Sequence, residues 1–460
     1  MTLQNGCFFV NKSCEVTPEQ KRIQELEQEV ASLKATIVDL LDLVARLRNR
    51  KNSNNSSLPP SKDENRPSKP KSLRSSSGKK SGGQSGHEGS SLQMSETPDI
   101  ILDHKPEICK NCGKVLLFKD AKLVSCRQVI DIPPIIPQYI EHRNYSIVCK
   151  CGCGNTAAFP SGINAPISYG PNVEALIAYL FSRQYLPSKR LQEFFCKVCN
   201  LPISEGAIYN ILNRFVKKSA STYLAIKEFI QKSKTVGADE TGIKVNGKQH
   251  WGWTWQNEHA TYITISDNRG LNTITDNFKT GIPGAVLVHD CYSSHFRTKV
   301  KSHQLCLAHL LRELNFLDEI FDHPWPANFR TLLLDAMQLK KTQSRPDHFF
   351  PTIEKSVLQK RLDELLREEI PPGRKDIEVF QNRMCRYRDY LFTFLYKPDV
   401  PPDNNGSERA IRNIKVKQKI SGQFKSQNGA DCFAILRSIV DTCLKNNQEV
   451  LPALRLIASS

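Results

Sequence analysis

From Ile23 the apolar residues fall at Ile23, Leu26, Val30, Leu33, Ile37, Leu40, Val44 and Leu47, in steps that alternate three and four. That is a heptad held for about four repeats, with Ile or Val at one core position and Leu at the other, the choice that favours a parallel two-stranded coiled coil. The spacing predicts a dimerising helix over residues 18–50. The pattern then stops. Residues 51–98 are Ser, Asn, Lys, Pro and Gly with too little apolar surface to offset chain entropy, so they read as a disordered basic linker. Periodicity returns in a different form at residues 236–245, Val-Gly-Ala-Asp-Glu-Thr-Gly-Ile-Lys-Val, a β-type run ending at Asn246-Gly247. Asn-Gly between extended runs is the strongest short hairpin signal. Residues 250–255 and 260–265 alternate like further strands, and Trp251, Trp253 and Trp255 share one face, where core packing is expected over base stacking. A buried-type strand, residues 284–290, ends in Asp290. Helical periodicity then fills residues 309–321, 328–343, 353–369 and 377–396.

Between linker and meander lie two smaller patterns. Cys109-Lys-Asn-Cys112-Gly113 has the Cys-x-x-Cys-Gly form that turns two thiolates toward one ion, and Cys149-Lys-Cys151-Gly-Cys153 offers a second pair. Cys109, Cys112, Cys149 and Cys151 are the preferred ligands of a structural Zn²⁺, with Cys153 as the substitute. The β-type runs at 122–132 and 138–148 make residues 99–160 resemble a zinc ribbon, while Cys126, Cys196, Cys199 and Cys443 read as buried small apolar residues. Residues 165–232 are helical. The helices at 188–195 and from Ser204 resemble a helix-turn-helix, whose second helix either enters a major groove or merely packs.

Composition narrows the partners. The chain has 460 residues, enough for about two to four domains. Its net charge of +17 favours a polyanion. No apolar run approaches the ~18 residues of a spanning helix, and residues 7–10 are too short for a signal-peptide core. Fifteen cysteines without an export signal suggest reduced thiols in the cytoplasm.

Asp239 and Asp290 each sit near the end of a strand-like run, and Glu408 opens a helix after Asn404-Asn-Gly-Ser. Three acids on two strands and a helix suit metal-assisted phosphoryl transfer, in which two Mg²⁺ ions about 3.5–4 Å apart are held by carboxylates, water and phosphate. Arg409, Arg412, Lys415, Lys417 and Lys419 lie where they could neutralise a phosphodiester backbone.

These residues carry a resemblance. Glu408-Arg-Ala-Ile-Arg412 after Asn404-Asn405, residues 417–420 and 426–430, Ala238-Asp-Glu-Thr241, Asp290 and Cys306-Leu-Ala-His309 together resemble the large transposase of the insertion-sequence sixty-six family. The heptads, the Asn-Ser-Ser-Leu-Pro-Pro-Ser linker and the cysteine knuckles also fit, so the likeness runs from about residue 18 to residue 454. It implies a multidomain α+β protein whose residues 233–445 form an RNase H-like DDE core with a helical insertion at about 310–400, and leaves 446–460 as a tail. The implied triad is Asp239, Asp290 and Glu408, holding two Mg²⁺ (or Mn²⁺), with Glu240 as the runner-up to Asp239 and with Cys306 and His309 in support. The implied partners are the terminal inverted repeats and target DNA, a second copy of the chain, and small accessory proteins of the same element. The implied place is a bacterial cytoplasm, on the nucleoid when bound to DNA. A metal-dependent nuclease without strand transfer and a decayed DNA-binding protein are the open alternatives.

Overall fold

The computed structural model describes residues 17–52 and 92–342 (apart from 49, 118, 120, 161 and 164), residues 352–460, and isolated positions between 55 and 86. Most of the expected linker lies outside the described residues. Helix α1 (Pro18–Arg48) covers the heptads as one element, and Ile23, Leu26, Val30, Leu33, Ile37, Leu40, Val44 and Leu47 are all exposed along it. No helix among the described residues is long and apolar enough to cross a membrane.

The chain divides into two compact units, one of residues 1–70, 142–193 and 203–460, the other of residues 71–141 and 194–202. The smaller unit holds the first cysteine knuckle, where Cys109 N–H bonds Lys114 C=O and Gly113, at φ +70°, turns its N–H back to Cys109 C=O at 3.0 Å. Residues 122–132 are not a strand. Leu123, Val124, Val129 and Ile130 are exposed, and a β-type pattern becomes a strand only where a partner half-buries it. The larger unit, which includes α1, resumes with strands β1 (Ser146–Val148) and β2 (Gly154–Thr156), an antiparallel pair enclosing the second knuckle. Of the expected run at 138–148 only these last residues pair. Cys199 and Cys443 are buried as expected, but Cys126 is exposed and Cys196 is half-buried.

Helices α2 (Pro171–Ser182), α3 (Ser188–Lys197), α4 (Glu205–Lys218) and α5 (Ala220–Gln231) follow. Ser204 caps α4 as read, its hydroxyl accepting from Ala207 N–H at 3.1 Å. Strands β3 (Thr235–Val245), β4 (Lys248–Gln256), β5 (Thr261–Ser266), β6 (Ile282–His289) and β7 (Val300–Leu305) form a five-stranded sheet in the order β5-β4-β3-β6-β7. β3, β4 and β5 are antiparallel neighbours, and β3, β6 and β7 run parallel. The β3–β4 turn is the expected one, with Asn246 and Gly247 both at positive φ. Trp253 and Trp255 stack face to face, fully buried beside Phe278 and Tyr262, so they are core and cannot stack on bases. Short helices α6 (Leu271–Asn277) and α7 (Ser293–Phe296) flank β6 in sequence.

Helices α8 (Leu307–Ile320), α9 (Pro324–Thr342), α10 (Ile353–Arg367), α11 (Lys375–Arg386) and α12 (Thr393–Tyr396) build the expected insertion around Leu314, Trp325, Phe329, Leu333, Phe380 and Met384. The pattern expected as one helix over 377–396 breaks after α11, where Tyr387 leaves the helix to stack on Phe296 at 3.9 Å. The chain then returns as α13 (Asn405–Ser421) and α14 (Gln427–Lys445). α14 closes the sheet edge: Thr442 and Ser438 hydroxyls accept from Thr261 and Ile263 N–H of β5, at 3.2 and 2.9 Å. Residues 450–459, read as part of a tail, are helix α15 (Val450–Ser459), which packs on α2.

Lys417 requires a correction. It was expected on a DNA-facing surface, but it is 2% exposed. Its ammonium donates to the carbonyls of Tyr185 and Leu186 at 3.2 and 3.0 Å and lies 3.9 Å from the Phe181 ring centroid. Beside it Arg437 donates to Ser182 C=O. Two cations thus satisfy the carbonyl end of α2, where the helix dipole is negative. Burial pulls Lys417 down to about 7. Lys417→Met keeps the stem and removes the charge, so it is expected to cost about 2 kcal/mol in chemical denaturation by stranding those carbonyls. A change below about 0.5 kcal/mol would mean that the helix end needs no cation.

Candidate active site

The parallel register of β3 and β6 pairs Gly237 with Val288, and each of the two aspartates lies two residues further along its strand. That register alone sets Asp239 and Asp290 side by side just past the end of the β3–β6 pairing, the edge of an open sheet where crevices form. Glu408 comes from the first turn of α13.

Helix α13 is held there by Asn404. Its side-chain amide donates to Ala238 C=O at 2.7 Å, its side-chain oxygen accepts from the Ser407 hydroxyl at 2.7 Å, and its carbonyl accepts from Ser407 and Glu408 N–H. The Asn404 N–H in turn donates to Cys306 Sγ at 3.2 Å, and Leu307 N–H to Pro402 C=O, so the cap and first residue of α8 fix the approach to α13. Close approach is made possible by Gly237: a Cβ there would lie 2.5 Å from Asn404 Oδ1, 2.6 Å from Gln256 Nε2 and 2.8 Å from Ser407 Oγ.

The three acids share one field. Burial first, then the charges of Asp290, Glu240 and Glu408, raise Asp239 well above the usual carboxylate range, against one opposing hydrogen bond from Glu240 N–H. Asp290 Oδ1 accepts from Tyr292 N–H at 3.0 Å. Glu408 Oε1 is 3.0 Å from Arg312 Nη2 and 3.8 Å from His309 Nε2. Burial and then Arg312 hold His309 below its ordinary pKa, so the imidazole is neutral near pH 7. No three acid, histidine or thiol side chains among the described residues converge tightly enough to ligate one ion as they stand, and Glu408 is engaged by Arg312.

Glu240 lies on the opposite face of β3 from Asp239, as strand alternation requires. There it meets Arg269 Nη2 at 2.9 Å and His295 Nε2 at 3.1 Å. Burial pushes its carboxyl up, but His295 and Arg269 outweigh this and leave it below the ordinary value. Arg409, Arg412 and Lys419 are exposed along α13, and Lys415 reaches back to Gly242 C=O. In the knuckles, the N–H groups of Cys112 and Asn111 lower the Cys109 thiol, and the N–H of Cys151 lowers that of Cys149. The Cys153 thiol turns to Gly154 C=O at 3.8 Å.

Sequence reasoning missed Gly237, Gln256, Arg269, Tyr292, His295 and Arg312. For Gly237 a signal existed, since glycine inside an apolar strand marks close approach of another backbone or side chain. Gly237→Ala is expected to cost about 1–3 kcal/mol in a denaturant melt. Gly284→Ala, on β6 with open space about its Cβ position, serves as the control and should cost nothing comparable. Equal stability of the two variants would show that the Asn404 junction yields freely.

A model of the Transposase IS66 family matches residues 166–432, and a model of a family of unknown function matches residues 15–93. An uncharacterized protein of Sinorhizobium fredii, y4jO, is 33% identical over 73 residues, 16% of this chain and 23% of that protein. The chain therefore spans about a quarter of the length of that curated relative.

Proposed function

Because the chain belongs to the Transposase IS66 family, we propose that it cleaves DNA at the terminal inverted repeats of its element and joins the freed 3′-hydroxyl to target DNA by a DDE mechanism. The observation that carries this reading is the convergence of Asp239, Asp290 and Glu408: the β3–β6 register sets the first two side by side, and the Asn404 bond to β3 brings the first turn of α13 into their field. Like charges gathered in a partly buried place are costly unless a cation joins them. The mixed sheet order, with acids on two neighbouring parallel strands, supports an RNase H-like core.

Oxygen donors of this kind fit a hard divalent cation, with Asp239, Asp290 and Glu408 as the side chains that would hold it. Two bound Mg²⁺ would supply activation of the attacking oxygen and stabilisation of the leaving one. The protein's own part is to bring the acids together and hold the DNA. Asp239 stands in the fields of both Asp290 and Glu408 and would share a cation with them. A cation held by Glu408 would compete with Arg312 for its carboxylate, and the guanidinium beside the site would then be available to phosphate. Arg409, Arg412 and Lys419 face solvent on the helix that carries Glu408 and would neutralise the DNA backbone, while the helical segment 188–218 and the cysteine module would recognise the ends. The exposed heptads of α1 would pair two copies, bringing two ends together.

The test is a Mg²⁺-dependent cleavage and joining assay on a labelled duplex carrying the element's end. Asp239→Ala, Asp290→Ala and Glu408→Ala are each expected to abolish both steps while end binding in a mobility-shift assay persists. Nicking without joining by the wild-type protein would reduce the reading to a nuclease. Loss of end binding in all three variants would assign the acids to the fold instead.

Structural zinc on the cysteine thiolates belongs to the same reading. Each knuckle offers a lowered thiol and a neighbouring cysteine, a soft pair suited to Zn²⁺. Elemental analysis should find about one zinc per chain, falling in Cys109→Ser and Cys112→Ser. Zinc-free protein with unchanged folding would remove the claim.

A further inference from the structure

The buried carboxylate of Glu240 is not among the three acids, yet it is tied to one of them by two routes. Its side chain is 1% exposed and lies against His295, which is 0% exposed, and Arg269, which is 44% exposed. Along the first route, Arg269 donates through Nε and Nη2 to one Glu240 oxygen, at 3.0 and 2.9 Å. The guanidinium is sandwiched between Trp251 and Tyr292, with ring centroids 4.6 and 4.4 Å away. Tyr292 also donates its hydroxyl to Arg269 C=O at 3.1 Å, and its N–H holds Asp290 Oδ1 at 3.0 Å. The second route is shorter. The other Glu240 oxygen meets His295 on α7, a few residues beyond Asp290, at 3.1 Å.

We infer that Glu240 is a positioning residue which, through Arg269–Tyr292 and through His295, fixes Asp290 at the place where it and Asp239 act on one divalent cation. Glu240 is bonded in sequence to Asp239 and acts from the far face of the same strand. One carboxylate therefore couples the positions of two others without touching the metal. Outer partners of this kind orient ligands, and their loss commonly weakens metal binding about 10–100-fold. The inference rests on the reading of Asp239 and Asp290 as metal ligands given above.

The experiment uses the full chain and Mg²⁺ alone as the probe, by calorimetric titration, followed by the Mg²⁺ dependence of duplex cleavage. Glu240→Gln keeps the shape and removes the charge; it is expected to raise the Mg²⁺ dissociation constant about 10-fold or more. Cleavage should recover at saturating Mg²⁺. Arg269→Gln and Tyr292→Phe, at more exposed positions, should shift the constant in the same direction by less. Asp290→Ala is the reference for outright loss of a ligand. Unchanged Mg²⁺ affinity in Glu240→Gln with only a lowered melting temperature would reduce Glu240 to a structural role and overturn the inference. Loss equal to that of Asp290→Ala, unrecovered by excess metal, would make Glu240 a ligand and also overturn it. Wild-type Mg²⁺ affinity in Asp290→Ala would sink the parent reading, and this one with it.

Discussion

Asn404 joins three parts of the chain that are far apart in sequence: the strand carrying Asp239, the entry to the helical insertion at Cys306, and the first turn of the helix carrying Glu408. All its polar groups are spoken for, and it is buried. The hydrogen bonds work only because Gly237 leaves room for them. A side chain there would push the helix away from the strand, and the third acid with it. The glycine and the asparagine are therefore one device. Each is uninformative alone, since a glycine in a strand is weak and a buried amide is costly unless fully bonded.

Holding acids together has an electrostatic cost that the fold meets unequally. Glu240 receives a guanidinium and an imidazole and is held below its ordinary range. Asp239, one residue earlier, receives a single backbone N–H and is raised. Two adjacent carboxylates thus stand in opposite electrostatic states because a strand sends them to opposite faces. The compensated one has both of its oxygens bonded. The uncompensated one is left with burial and three like charges set against its ionised form.

Much of this was legible in the chain. Alternation at 236–265 and Asn246-Gly247 fixed the hairpin, and the strand-like run before Asp290 placed the second acid, because side-chain period and turn chemistry are local properties. The helices of the insertion were equally plain. What failed depended on partners. The runs at 122–132 and 138–145 have β-type residues but form no strand. Lys417 sits in a basic run but faces a helix end, which only packing reveals. Residues 450–459 were read as a tail although Leu454 and Ala458 bury against the larger unit. The Arg269, Tyr292 and His295 links to Glu240 run between segments up to 55 residues apart, beyond any periodic signal.

The placement of the third acid also orders events in time. Asp239 and Asp290 leave the ribosome together with their sheet, but Glu408 follows more than a hundred residues later, after the whole insertion. At about 5–20 residues per second, the nascent chain carries two acids without the third for many seconds. Chains broken off within the insertion never acquire it. The arrangement makes full-length synthesis itself the condition under which the carboxylate cluster comes into being.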